Sequence, residues 1–243
     1  MYQLNMQRLG LFIRRQSIMN IKSFWIALGA ISGFLTILTI LIAYVNPYAL
    51  ENLKALYIVV FYFSGLIFTS KIFSELDKPQ KSYSLLTLPV SNMEKMAGAW
   101  LITSPGFTMI YLLFIFLIIS LSSLISGAEI SLRYFFDLDT WRSVGVYLVI
   151  QTFFMLGACT FKGNNFLKTI LSILLFCVLI SIFSALTVSL IFKGGQVDSR
   201  TMDIGFTTYI TDTFVPVISF LFWYLLGPFM LLVSFFKLKE RQV

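Results

Sequence analysis

Few side chains in this sequence could do chemistry, and the missing ones narrow its function. There is no histidine among 243 residues. All eleven carboxylates lie outside the middles of the apolar runs, and the loop residues Asp137, Asp139, Asp198, Asp203 and Asp212 are the ones that could carry acid and base chemistry. An integral-membrane enzyme would have to work with these, and solvated loop charges are the simpler reading. Zinc-dependent intramembrane proteolysis and histidine-dependent lipid dephosphorylation lack their side chains. Cys159 and Cys177 both fall inside apolar runs and read as small core residues, not as a disulfide or metal pair. No G-x-x-x-x-G-K-[ST] phosphate loop occurs, so the chain does not hydrolyse ATP by that route. No charged residue sits in the middle of an apolar run, which argues against ion coupling and voltage sensing.

One spacing does prescribe local geometry. Ser91-Asn92-Met93-Glu94 fits the capping box, in which Ser91 accepts from the amide of Glu94 and Glu94 answers the amide of Ser91. Pro89 stops whatever precedes it, so a helix is expected to begin at Ser91. This signal closes the longest polar-rich interval of the chain, Lys71 to Met96. Two readings stand: a short ordered handle that a soluble partner can grip, or a loop followed by an apolar span that starts early.

The elements around that interval follow from composition. The chain is 58% apolar and 12% charged, with a mean hydropathy of +0.88, whereas soluble domains carry about 25% charged residues. A bilayer span needs roughly 20 mostly apolar residues, and six runs qualify, over about 24–45, 55–73, 96–125, 143–161, 166–192 and 213–236. The fold expected is an all-α integral membrane protein, a single transmembrane domain over 1–243. Residues 1–22 are too polar to span and form an imperfect amphipathic helix. Met6, Leu9, Phe12 and Ile13 share one side with Tyr2, while Arg8, Arg14 and Arg15 lie on the other with Leu4, Leu11 and Ile18. An interfacial helix on the inner leaflet is the expectation. Gly29 and Gly33 form a G-x-x-x-G pair that lets another helix approach. Asn46-Pro47 ends the first span, Pro105-Gly106 and Gly227-Pro228 predict kinks, and Lys162-Gly-Asn-Asn165 predicts a tight turn. Residues 127–142 read as a loop or interfacial segment. Within the loop 194–212, Thr207 to Ile210 read as a small, partly inserted element.

Charge then orients the chain. Six spans put both termini on one side. With that side inside, the inner segments hold 13 of the 18 Lys and Arg residues and the outer ones hold 5. The positive-inside rule therefore places both termini, and the 71–96 interval, in the cytoplasm. The net charge of +7 is explained by this orientation, and nucleic acid is not expected as a partner.

Leu86-Thr-Leu-Pro89-Val-Ser91-Asn92-Met-Glu94-Lys95 resembles the LxLPxSxxEK segment between the second and third spans of some permeases of type-2 ATP-binding-cassette exporters. The basic ending Phe236-Lys-Leu-Lys-Glu-Arg-Gln-Val243 is similar to their C-termini, and the six spans and amphipathic start match along the whole chain. No substrate-binding signature is there to carry over.

The resemblance implies a mechanism. Two permeases, a homodimer or a heterodimer with a related chain, surround a path in the bacterial cytoplasmic (inner) membrane. Each docks a cytoplasmic ATPase subunit, which binds the ATP and Mg; this chain binds no cofactor itself. By position Ser91, Asn92, Met93, Glu94, Lys95 and Met96 would be the coupling helix. Glu94 and Lys95 would pair with ATPase charges, or Glu94 would cap its own helix, and Met93 and Met96 would offer adaptable apolar contact. Arg8, Phe12, Arg14 and Arg15 would belong to the interfacial helix, against membrane lipids, and Gly29 and Gly33 to a dimer face. The uncharged, aromatic spans point to an amphipathic, lipid-like, peptide or drug cargo, and short outer loops to export. The alternative is a membrane scaffold or immunity protein that binds a partner and transports nothing.

Overall fold

The structure, a computed structural model, describes residues 5–46, 53–77, 82, 87–126, 135–191 and 210–241. All regular structure among them is helical. Helix α1 runs Met6–Val45, α2 runs Leu53–Lys71, and a 3₁₀ turn follows at Ser74–Asp77. Helix α3 (Asn92–Leu101) passes through a π-helical segment, Ile102–Gly106, into α4 (Phe107–Ser126). Then come α5 (Leu138–Thr160) and α6 (Asn165–Ile191). The last stretch alternates: π-helical Ile210–Phe214, α7 (Val215–Phe220), π-helical Leu221–Leu226 and α8 (Gly227–Glu240).

Six helical segments are long and apolar enough to cross a membrane: Trp25–Val45, Leu53–Lys71, Asn92–Ile125, Leu138–Thr160, Asn165–Thr187 and Asp212–Glu240. These lie where the apolar runs place them, with two informative shifts. The fourth begins earlier than residue 143 because Asp137 acts as an N-cap, accepting the amide of Thr140 at 3.0 Å. The third begins at Asn92 because the Ser91–Glu94 box starts a helix that nothing afterwards stops. The expected short helix over 91–96 is thus the opening of a longer one. Pro105 removes an amide donor and would crowd the carbonyl of Leu101; the helix widens into the π segment there and continues. The kink expected at Gly227-Pro228 is met by the same device one turn earlier, at Leu221–Leu226.

The expected division between an amphipathic helix over 1–22 and a span from 24 is absent. One helix of 40 residues covers both, about 60 Å at 1.5 Å per residue, twice the hydrocarbon thickness of a bilayer. No Pro or Gly lies between Gly10 and Gly29 to break it. Nor does its Leu9–Phe12 side lie open: Leu9 and Phe12 are buried, while Met6, Leu11 and Ile18 are exposed. Val45 ends α1 as expected, with the amide of Asn46 donating to Ile42 O at 2.8 Å. Pro47, residues 127–134 and the Thr207–Tyr209 stretch lie outside the described residues, as do Tyr2, Leu4, Asp198 and Asp203. The turn after α5 is confirmed, with Gly163 and Asn164 both at positive φ, 69° and 51°, where Gly and Asn are the tolerated residues.

Two cores hold the helices. One joins α1, α2, α4 and α5 through Leu35, Tyr57, Phe61, Phe107, Tyr111 and Tyr147. The ring of Phe61 lies 4.5 Å from that of Tyr147 and 5.7 Å from that of Phe107. Each buried phenol is satisfied: Tyr57 meets Thr39 Oγ1 at 2.6 Å, Tyr111 donates to Tyr57 O at 2.8 Å, and Tyr147 donates to Thr103 O at 3.0 Å. That pairing lets tyrosine serve as core in an apolar setting. Gly65 makes room for the cluster, since a Cβ there would stand 2.5 Å from Tyr147 Oη. The second core gathers Phe12, Phe73, Met96, Met155, Cys159 and Leu238. It brings both chain ends and the ends of the 71–96 interval to one end of the molecule, called here the terminal end. Cys159 is core as expected; Cys177 is not, being exposed on α6.

Candidate functional site at the terminal end

The Ser91 box is formed in full. Ser91 N donates to Glu94 Oε2 at 2.7 Å, and Glu94 N donates to Ser91 Oγ at 3.2 Å. The second carboxylate oxygen does something the local spacing does not prescribe. Glu94 Oε1 accepts the amide of Asn5 at 2.8 Å, and Asn5 is the N-cap of α1, its Oδ1 accepting from Gln7 N at 2.9 Å. One carboxylate therefore closes the N-termini of two helices. Each such terminus carries unpaired amides and about half a positive charge, so a negative group between them removes a repulsion and satisfies donors on both sides. Arg8 Nε adds a cation 3.8 Å from Oε1.

Three further contacts fasten α1 to this end. Phe12 lies over Gly98, where a Cβ would stand 2.7 Å from the ring. Gln16 Nε2 donates to Ile72 O at 2.6 Å. Arg15 forks onto Glu75, with Nη1 to Oε1 at 3.4 Å and Nη2 to Oε2 at 3.1 Å; the planar guanidinium suits such a two-point contact. On the opposite side of the second core, Arg241 Nη2 donates to Thr160 O at 2.7 Å and Phe161 O at 2.8 Å, taking up carbonyls that the end of α5 leaves open.

The charged pair expected to face a partner is turned inward. Glu94 has no exposed surface and Lys95 is 2% exposed. Lys95 has no acidic partner among the described residues. Met96 belongs to the second core. Of the six residues from Ser91 to Met96, Met93 is the exposed one, at 58%, with Thr87 and Pro89 exposed just before it. Arg14 is exposed, whereas Arg8 and Arg15 are engaged within the chain. Gly29 and Gly33 lie on an open flank of α1, with nothing within 4 Å of an added Cβ. Close approach at glycine is used instead at Gly65 and Gly98. The roles of Asn5, Gln16, Glu75 and Arg241 are not signalled by sequence, because each partner lies 56 to 89 residues away.

At the far end, Asp137 pairs with Lys54 and also accepts from the amide of Thr140. The lysine contact first, and the amide next, hold its carboxyl down at about 2. Asp139 pairs with Arg142. These carboxylates serve as cap and ion pair. Among the described residues no group of three His, Cys, Asp or Glu could hold a metal ion.

The terminal end thus joins three helices through named side-chain contacts. Glu94 ties the start of α3 to the start of α1, and Arg15 with Gln16 ties α1 to the end of α2. The class these helices define is all-helical, with six segments long and apolar enough to cross a membrane, compatible with a multi-pass membrane protein. Scans against protein-family models, curated proteins and solved structures each return no match.

Proposed function

We propose that this chain is the membrane-spanning permease subunit of an ATP-binding-cassette exporter, seated in a bacterial cytoplasmic membrane with both termini inside. A separate ATPase subunit binds ATP and Mg and supplies the work; a second permease copy completes the path, with the open Gly29–Gly33 flank as its contact. The cargo class is amphipathic or lipid-like. The observation that carries this reading is the position of the LxLPxSxxEK-like segment on a junction shared by three helices, with Thr87, Pro89 and Met93 as its outward face. In this form of the proposal Glu94 and Lys95 transmit force, and the exposed residues make the contact.

Co-purification in mild detergent tests it, comparing the wild-type chain with Met93→Arg and Pro89→Glu. Recovery of an ATPase subunit with wild type, and its loss with variants that melt normally, is the expected result. If wild type brings down no ATPase from its native membrane, the transporter reading has no engine and the scaffold reading replaces it. For the dimer face, Gly29→Leu with Gly33→Leu should abolish a crosslinked dimer; an unchanged dimer moves the contact elsewhere.

A further inference from the structure

A groove of about 240 Å³ opens between α1, α2 and α4, walled by residues that include Leu28, Ile31, Phe68, Phe107 and Ile118. The polar side chains in its wall are occupied by the helices themselves. Ser32 Oγ donates to Gly29 O at 3.2 Å, Ser64 Oγ to Val60 O at 2.6 Å, and Tyr111 Oη to Tyr57 O at 2.8 Å. The exception is Lys71, which lines the groove, is exposed, and has no acidic partner among the described residues. Lys71 is the last residue of α2, adjoining Ile72 and Phe73 of the terminal-end core.

We propose that this groove binds an anionic phospholipid, with an acyl chain along the apolar wall and the headgroup phosphate at Lys71. Two observations select that occupant. The wall extends along α4 from Phe107 to Ile118, about 16 Å at 1.5 Å per residue, close to the depth of one leaflet in a hydrocarbon core of about 30 Å. A single cation at one end of an otherwise apolar slot matches a molecule with one anionic end and a long apolar body. The site is independent of the exporter reading, since a resident lipid would be held whether or not the chain transports.

The test is native mass spectrometry of the full chain released from vesicles of phosphatidylglycerol or phosphatidylcholine. Wild type should retain phosphatidylglycerol preferentially, roughly fivefold, the discrimination one lysine provides near an anionic surface. Lys71→Gln should retain both lipids equally. Ser32→Trp, which fills the groove, should retain neither, and Ile31→Trp repeats the filling should the first variant fail to fold. Lys162→Gln, an exposed lysine of the same end, should behave as wild type. A preference that survives Lys71→Gln, or lipid retention that survives the filled groove, overturns the proposal. So does a dimer that survives Gly29→Leu with Gly33→Leu yet dissociates when the groove is filled, because a second copy would then be the occupant.

Discussion

At the terminal end five helices meet around a small set of polar groups, while α6, 27 residues long, packs against α5 and α2 near its start and is largely exposed from Leu171 onward. In the fourth span 56% of the most apolar window is buried within the chain; in the fifth it is 6% and in the sixth 11%. The fifth span is at least as apolar as the others. What separates the regions is the presence of groups that must find partners. Around Glu94, Arg15, Gln16 and Arg241 the protein supplies specific acceptors and donors, and the helices follow. At its start α6 is tied to α2, Asn165 Nδ2 donating to Ser70 O at 3.5 Å, but further along the hydroxyls of Ser172, Ser181 and Thr187 donate to carbonyls four residues back in the same helix, so there nothing polar requires a neighbour. In an apolar medium hydrophobicity alone does not drive helix against helix, because lipid tails are as apolar as leucine. Polar pairing and close approach decide which helices bind tightly.

Glu94→Ala should break this contrast most severely. It removes acceptors for two helix starts, and the apparent melting temperature in detergent should fall by on the order of 10 °C. A variant that melts within a degree or two of wild type would mean that α1 is held by apolar contact alone. Gly65→Ala comes next: its Cβ would collide with Tyr147 and Phe107, an overpacking worth about 2 kcal/mol, read in the same melts. Acid should reveal the pair at the far end. The Asp137 carboxyl is held at about 2 against an ordinary 3.8. A depressed carboxyl contributes stability that is complete above its unfolded value and lost as pH falls through its folded one. Between pH 4 and pH 2 wild type should therefore lose melting temperature more steeply than Asp137→Asn; parallel curves would show that the Lys54 pair adds nothing. The smallest effect is expected on α6, where Phe183 is 72% exposed. Phe183→Ala should shift the stability of the single chain by less than about 0.5 kcal/mol. A large loss would show that a partner covers α6 in the purified protein.

Much of this was legible in advance. The six apolar runs, the Ser91 box and the turn at Lys162–Asn165 are local features. Each depends on a residue's own length of chain or on partners within four residues, so spacing determines them. The helix start at Ser91 is as expected, but the short helix over 91–96 and the helix over 1–22 both continue into the span that follows, because a start signal is readable in the sequence and no stop signal comes after it. Met96-Ala-Gly-Ala-Trp100 contains nothing strong enough to end a helix, and neither does Met19-Asn-Ile-Lys-Ser-Phe24.

By itself the sequence determined that this chain is helical, apolar over six lengths, and basic toward its ends. Only the tertiary structure decided that the second oxygen of Glu94 goes to Asn5, 89 residues earlier, and that Arg241 closes the end of α5. It also decided that Glu94 and Lys95 face inward while Met93 faces out. The physical reason is that transfer energies say which surfaces leave water but not which apolar surface they then meet. That second choice rests on a few hydrogen bonds and close contacts between distant segments, and no local pattern records them.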